Sequence, residues 1–194
     1  AKGAASPYHY HKNCEHFYFI MEGQATVETP EGVTEVGPGD MVFIPAEERH
    51  RLRSITPLFY FEFQAPNRFQ TTTKEHAMAT TFIKTGNLPR TRVPGAGEAT
   101  DVLNEAICGA KNVRATLRWL HAGDRLDAAP KASTHQLIYL MDGHGVITLN
   151  GKDYPVGKGA GVYFGPGESA GIRPDGADGV KLFHLVVPEV ADQA

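Results

Sequence analysis

Two stretches of this chain follow one pattern in one register. Residues 16–45, HFYFIMEGQATVETPEGVTEVGPGDMVFIP, align with residues 136–165, QLIYLMDGHGVITLNGKDYPVGKGAGVYFG, at a constant offset of 120 (136 − 16) and without a gap. Met21 falls on Met141, Gly23 on Gly143, Val36 on Val156, Gly37 on Gly157, Gly39 on Gly159 and Val42 on Val162. The same offset carries Gly3 onto Gly123, Arg53 onto Arg173 and Phe63 onto Phe183. Chance identities do not hold one register over such a length, so the chain reads as two copies of one module.

Each copy has a β grammar. An alternating strand ends at an acid–Gly pair, MEG or MDG. A short strand and a turn follow, PEG in one copy and NGK in the other. Asn150-Gly151 is a strong two-residue hairpin signal. A Gly-rich turn, VGPGD or VGKGA, then leads into MVFIP or GVYFG. Short antiparallel strands joined by such turns predict an all-β chain of two small barrels or jelly rolls. The 21 glycines and 13 prolines agree with that pattern.

Between the copies the pattern changes. Residues 64–80 are polar and read as linker, and 89–100 as loop. Residues 100–110, TDVLNEAICGA, put Val102, Leu103, Ala106 and Ile107 on one helical face, with Thr100 or Asp101 as N-cap and Gly109 as stop. RATLRWLHAG (114–123) alternates and reads as an opening strand of copy two. The expected domains are therefore 1–66, a connector with a short helix at 67–112, and 113–194. Copy one shows no counterpart to residues 83–122, so an N-terminal segment is expected to be missing.

Composition narrows the function classes. The formal charge is −3 with no basic cluster, which argues against nucleic acid as partner. Apolar runs such as FYFIM and LIYLM are too short to cross a membrane. The start has no apolar segment resembling a signal peptide. Cys14 and Cys108 make no disulfide framework, so reduced thiols and a cytoplasmic location are expected.

The chemistry lies in YHYHKNCEH (8–16). His9 and His11 are two apart, so on a strand both imidazoles face one side. Neutral imidazole is a good ligand for Fe, Ni, Cu or Zn. His50 lies at the end of the Gly-Asp…Pro element, where a neighbouring strand can bring it alongside.

Gly3-x5-His9-x-His11-x4-His16-x6-Gly23 resembles the first motif of the cupin superfamily, and Gly37-x-Gly39-Asp40-x4-Pro45-x4-His50 resembles the second. The resemblance covers nearly the whole chain as two copies, so the chain resembles a bicupin. It implies one divalent metal ion (Fe, Ni, Mn, Cu or Zn) on His9, His11, His16 and His50. His16 stands where most of the family has Glu, and Glu15 is one residue earlier. The register from Gly23 selects His16; a bulge at 12–15 would present Glu15 instead. In copy two the offset places Ala129, Lys131, Gln136 and Ala170 at these positions, and His184 on Gln64, so that copy is expected to lack the metal.

Tyr18, facing inward, and Glu62, as an acid or base, are the further catalytic candidates. HFYFIM and LFYFEF are apolar on both faces, so copy one is expected to pack on copy two or on a second subunit, giving a homodimer. Cupins include dioxygenases, decarboxylases, isomerases, hydrolases and binding proteins, so the fold alone does not name the reaction. All-histidine sites among cupin dioxygenases make a dioxygenase acting on a small polar or phenolic substrate the first expectation. A Lewis-acid hydrolase, isomerase or cyclase, and a non-catalytic metal- or ligand-binding bicupin, are the alternatives. Bicupin ureidoglycine aminohydrolase resembles the chain in architecture, but that family is expected to use its C-terminal half for metal.

Overall fold

In the computed structural model, residues 2–66 and 79–188 are described. The chain divides into two units, residues 1–87 with 105–112, and residues 88–104 with 113–194. No helix among the described residues is long and apolar enough to cross a membrane.

In the first unit, β1 (Cys14–Glu22), β2 (Ala25–Thr29), β3 (Gly32–Val36), β4 (Asp40–Ile44), β5 (Arg51–Ser54), β6 (Phe59–Pro66) and β7 (Thr81–Lys84) form two sheets, ordered β6-β1-β4-β7 and β3-β2-β5. The β1 residues Tyr18 and Ile20 bury one face against Val27, Val42, Ile44 and Leu52. Phe17 and Phe19 bury the other, with Phe17 stacked on Phe63 at 4.8 Å. This is the two-sided burial that the unbroken apolar run requires.

The second unit contains β8 (Thr91–Arg92), β9 (Glu98–Leu103), β10 (Arg114–Leu120), β11 (Leu126–Ala128), β12 (Thr134–Leu149), β13 (Lys152–Gly157), β14 (Gly161–Phe164), β15 (Ala170–Pro174) and β16 (Val180–Pro188). The single long β12 does the work of β1 and β2 together. It pairs with β14 as β1 pairs with β4, and with β13 and β15 as β2 pairs with β3 and β5. Asn150 and Gly151 both take positive φ, 49° and 80°, as the tight hairpin demands. Ile138, Leu140, Ile147, Phe164 and Ile172 line this core at the positions of Tyr18, Ile20, Val27, Ile44 and Leu52.

Two sequence expectations change. The helix expected over 100–110 is only α1 (Glu105–Cys108); Val102 and Leu103 lie on β9, which pairs with β10. The stretch expected as connector supplies strands to both units, and its residues 67–78 lie outside the described residues. The repeat is also not gapless to its end. Tyr18 faces Glu62 across β1 and β6, whereas Ile138 faces His184 across β12 and β16. The offset for this last strand is therefore 122 (184 − 62). His184 occupies the position of Glu62, not of Gln64, and Phe183 that of Phe61.

Both copies break register at the same place, between Ile20 and Glu22 and between Leu140 and Asp142. The glycine that follows has φ +85° in each copy. A Cβ on Gly23 would lie 2.1 Å from the Pro57 carbonyl oxygen, and one on Gly143 would lie 2.3 Å from that of Gly179. The bulge turns the strand out of one sheet and into the other, and only glycine fits the approach. Gly23→Ala should therefore cost about 1–3 kcal/mol, with a matching fall in denaturant midpoint. Gly37→Ala, which meets open space at negative φ, should leave the midpoint nearly unchanged.

Candidate metal centre

His9 and His50 form a two-residue antiparallel bridge, exchanging backbone bonds of 3.0 and 2.8 Å. Tyr8 and Tyr10, the alternate residues, lie under the guanidinium groups of Arg51 and Arg49 at 5.5 and 5.2 Å. Strand alternation then turns His9 and His11 the other way, toward His16 and His50. His16 comes from β1, where it pairs with Ile44 of the core. One ligand nitrogen from each of the four imidazoles lies within 4.8 Å of the others. Nitrogens bound at ~2.1 Å around one octahedral ion would be ~3.0 Å apart when cis and ~4.2 Å when trans.

Hydrogen bonds fix the tautomers. His9 donates Nδ1–H to the Pro7 carbonyl at 2.8 Å, and His50 donates Nδ1–H to the Glu48 carbonyl at 2.9 Å. Both leave Nε2 bare. His16 donates Nε2–H to Glu62 Oε1 at 3.0 Å, leaving Nδ1 bare. His16 and His50 are almost wholly inaccessible, at 1% and 0% exposure. Burial and the neighbouring imidazoles push His16 down to about 3; burial, partly opposed by the bond to Glu48, pushes His50 down to about 4. Both rings are therefore neutral at neutral pH.

It follows that the 2.9 Å contact between His16 Nδ1 and His50 Nε2 joins two bare nitrogens. No proton lies between them, and two lone pairs at this distance repel unless a cation lies beside both. His11 Nε2 is buried next to them with no hydrogen-bond partner among the described residues. An unsatisfied buried acceptor is costly. Three unsatisfied lone pairs converging at one point fit a bound metal ion. His9 and His11 are partly exposed, so the cluster opens to solvent on their side.

The other candidates are placed as follows. Glu15 faces away: it pairs with Ala65, and its carboxylate accepts from the Lys111 and Asn112 backbone beyond α1. The bulge that would bring it to the cluster is not there: β1 pairs with β6 in one register from Cys14 to Ile20. Tyr18 packs its ring on His16 at 4.6 Å. Burial first, then the Glu62 charge, push its hydroxyl above the usual phenol range, so it stays protonated. Glu62 touches His16 rather than standing free, and the Tyr60 hydroxyl donates to its other oxygen at 3.3 Å. Residues that the sequence reading missed are Tyr60, on the same face of β6 as Glu62, and the Pro7 and Glu48 carbonyls. Each carbonyl lies two residues before the histidine it orients.

A carboxylate on the far nitrogen of a ligating imidazole fixes its tautomer and raises its basicity. Glu62→Gln should therefore weaken metal affinity about 10-fold or more while the fold is kept, as read by competition against a chromogenic chelator. Unchanged affinity would detach Glu62 from the site.

Comparison with known proteins agrees with this architecture. Residues 1–80 match the family model described as Cupin domain, and residues 116–192 match that described as AraC-like ligand binding domain. No curated protein matches by sequence. Among solved structures, protein Ylba from E. coli is similar over 100% of this chain and 76% of its own, with TM-score 0.77 and 13% identity. Oxalate decarboxylase from Lactobacillus farciminis, solved as a formate complex, covers 98% of this chain and 75% of its own, at TM-score 0.72 and 13% identity. Oxalate decarboxylase from Bacillus subtilis, studied for its Mn(II) centres, covers 97% and 66%, at TM-score 0.69 and 14% identity. The two family matches, one to each part of the chain, and a fold shared with these structures along nearly the whole length support the cupin-type barrels that the motifs predict.

Proposed function

We propose that the chain is a metal-dependent cupin enzyme. Its first unit holds one divalent first-row ion on His9, His11, His16 and His50, and it acts with dioxygen on a small polar or phenolic molecule. The observation that carries this reading is the facing pair of bare nitrogens on His16 and His50, with the unpartnered His11 Nε2 beside them. Four neutral ligands would leave a bound ion its full charge, and a chelating substrate could use any coordination that the four histidines leave open. When bound, such an ion polarises a chelated oxygen and, if redox-active, exchanges electrons with substrate and dioxygen. The chain's own part is positional. Glu62 holds the His16 proton on Nε2, Pro7 and Glu48 hold those of His9 and His50 on Nδ1, and Tyr18 walls the site with a protonated phenol.

A second reading has its own support. Two structural neighbours are oxalate decarboxylases. On this reading the same site cleaves a small carboxylic acid without net oxidation. One experiment separates the two: the chain is loaded in turn with Fe(II), Mn(II), Ni(II), Cu(II) and Zn(II) and offered catechols, enols, 2-oxo acids and oxalate. Oxygen uptake with a phenol or enol, lost in His50→Ala, is the expected result. Carbon dioxide release from oxalate without net oxygen uptake would favour the second reading. A stoichiometrically loaded protein inert to the whole panel would overturn both.

A further inference from the structure

The second unit keeps the position of the first unit's site and fills it with different chemistry. The Lys131 carbonyl accepts from Gly167 N–H at 3.2 Å, as the His11 carbonyl accepts from Glu47 N–H at 2.8 Å, so Lys131 stands where His11 stands. Ala129 and Ala170 replace His9 and His50, so two imidazoles give way to methyl groups. Gln136 replaces His16, and the register of β16 puts His184 where Glu62 stands. Both side chains are buried, at 5% and 8% exposure. His184 donates Nε2–H to Gln136 Oε1 at 3.0 Å, while the Gln136 amide NH2 donates to the Ala129 carbonyl at 3.5 Å.

Arg118 joins this cluster from β10. It pairs with Leu182, a core residue, and two positions earlier Thr116 pairs with His184. Opposed residues of antiparallel strands share a face, so Arg118, Thr116 and His184 all face inward. The Arg118 Nε is buried and has no hydrogen-bond partner among the described residues. The carboxylate facing the group is Asp101, which accepts from the Thr116 hydroxyl at 3.1 Å. Asp101 raises the Arg118 pKa, but burial lowers it by more, so the guanidinium is not fully compensated. Burial, Arg118 and Lys131 push His184 down to about 4, which keeps it neutral at neutral pH. Two cations against one carboxylate leave this face net positive.

We propose that Arg118, Lys131, Gln136 and His184 form a second, metal-free site that binds a small carboxylate. An arginine edge offers parallel N–H donors that match the two oxygens of a carboxylate, and an unpartnered Nε is half of that edge. The apolar floor of Ile138 and Leu182 suits a short carbon chain behind the acid group. One surplus positive charge matches a monoanion better than a phosphate dianion.

The test uses the full-length chain carrying His50→Ala, so that the first unit's site cannot contribute, titrated with acetate and glycolate by calorimetry and saturation-transfer NMR. Binding of one carboxylate per chain is expected, and Arg118→Met should weaken it at least about 10-fold. Lys131→Met, at an exposed position, should also weaken it and covers the case in which Arg118→Met fails to fold. No binding at millimolar concentration, binding that both variants retain, or equal binding of inorganic phosphate would overturn the proposal.

Discussion

Four imidazoles crowded into one half-buried space impose a demand that no side chain among the described residues meets. The His16 and His50 rings are held neutral by burial and by the neighbouring imidazoles, and their outward-facing protons are committed to Glu62 and to the Glu48 carbonyl. Their remaining lone pairs face each other at 2.9 Å. A proton there would have to sit on a group whose affinity for protons is strongly reduced. A bound metal ion, which accepts several lone pairs at once, would relieve the repulsion and satisfy the buried His11 nitrogen together. The carbonyl and carboxylate contacts, the Tyr8–Arg51 and Tyr10–Arg49 stacking and the His9–His50 bridge together orient the four rings toward one another.

The two units show how one backbone frame carries two chemistries. In the first, a buried histidine on the central strand donates to a carboxylate on the neighbouring strand. In the second, the roles are exchanged: the central strand carries the amide Gln136, and the histidine sits on the neighbour. On the proposals above, losing His9 and His50 and placing Lys131 and Arg118 nearby would turn a site that attracts a cation into one that repels it. The bulge and glycine at the strand corner are unchanged between the units, because they serve the barrel and not the ligand.

Much of this was legible in the residues. The repeat, the Asn150-Gly151 hairpin and the histidine spacing depend on local geometry, which the sequence states directly. The slip of the last strand was not legible. Phe59, Phe61 and Phe63 alternate, so a shift of two residues keeps every side chain on its face and leaves a plausible match, Phe63 with Phe183. Only the backbone pairing shows that the turn 175–179 delivers β16 two residues late, and with it the true place of His184. The helix over 100–110 failed for a different reason. Val102 and Leu103 fit a helical face, but pairing of β9 with β10 satisfies their backbone in a sheet and buries both side chains. Arg118 was not legible because the arginines of an alternating strand look solvent-facing until its neighbours are known.

The central claim is that four neutral histidines hold one metal ion. Elemental mass spectrometry on tag-free protein, beside His16→Ala prepared in the same way, tests it most directly. The account predicts close to one first-row ion per chain in the parent and a marked loss in the variant. A parent that stays metal-free after reconstitution, or a variant that keeps its full complement, would contradict it.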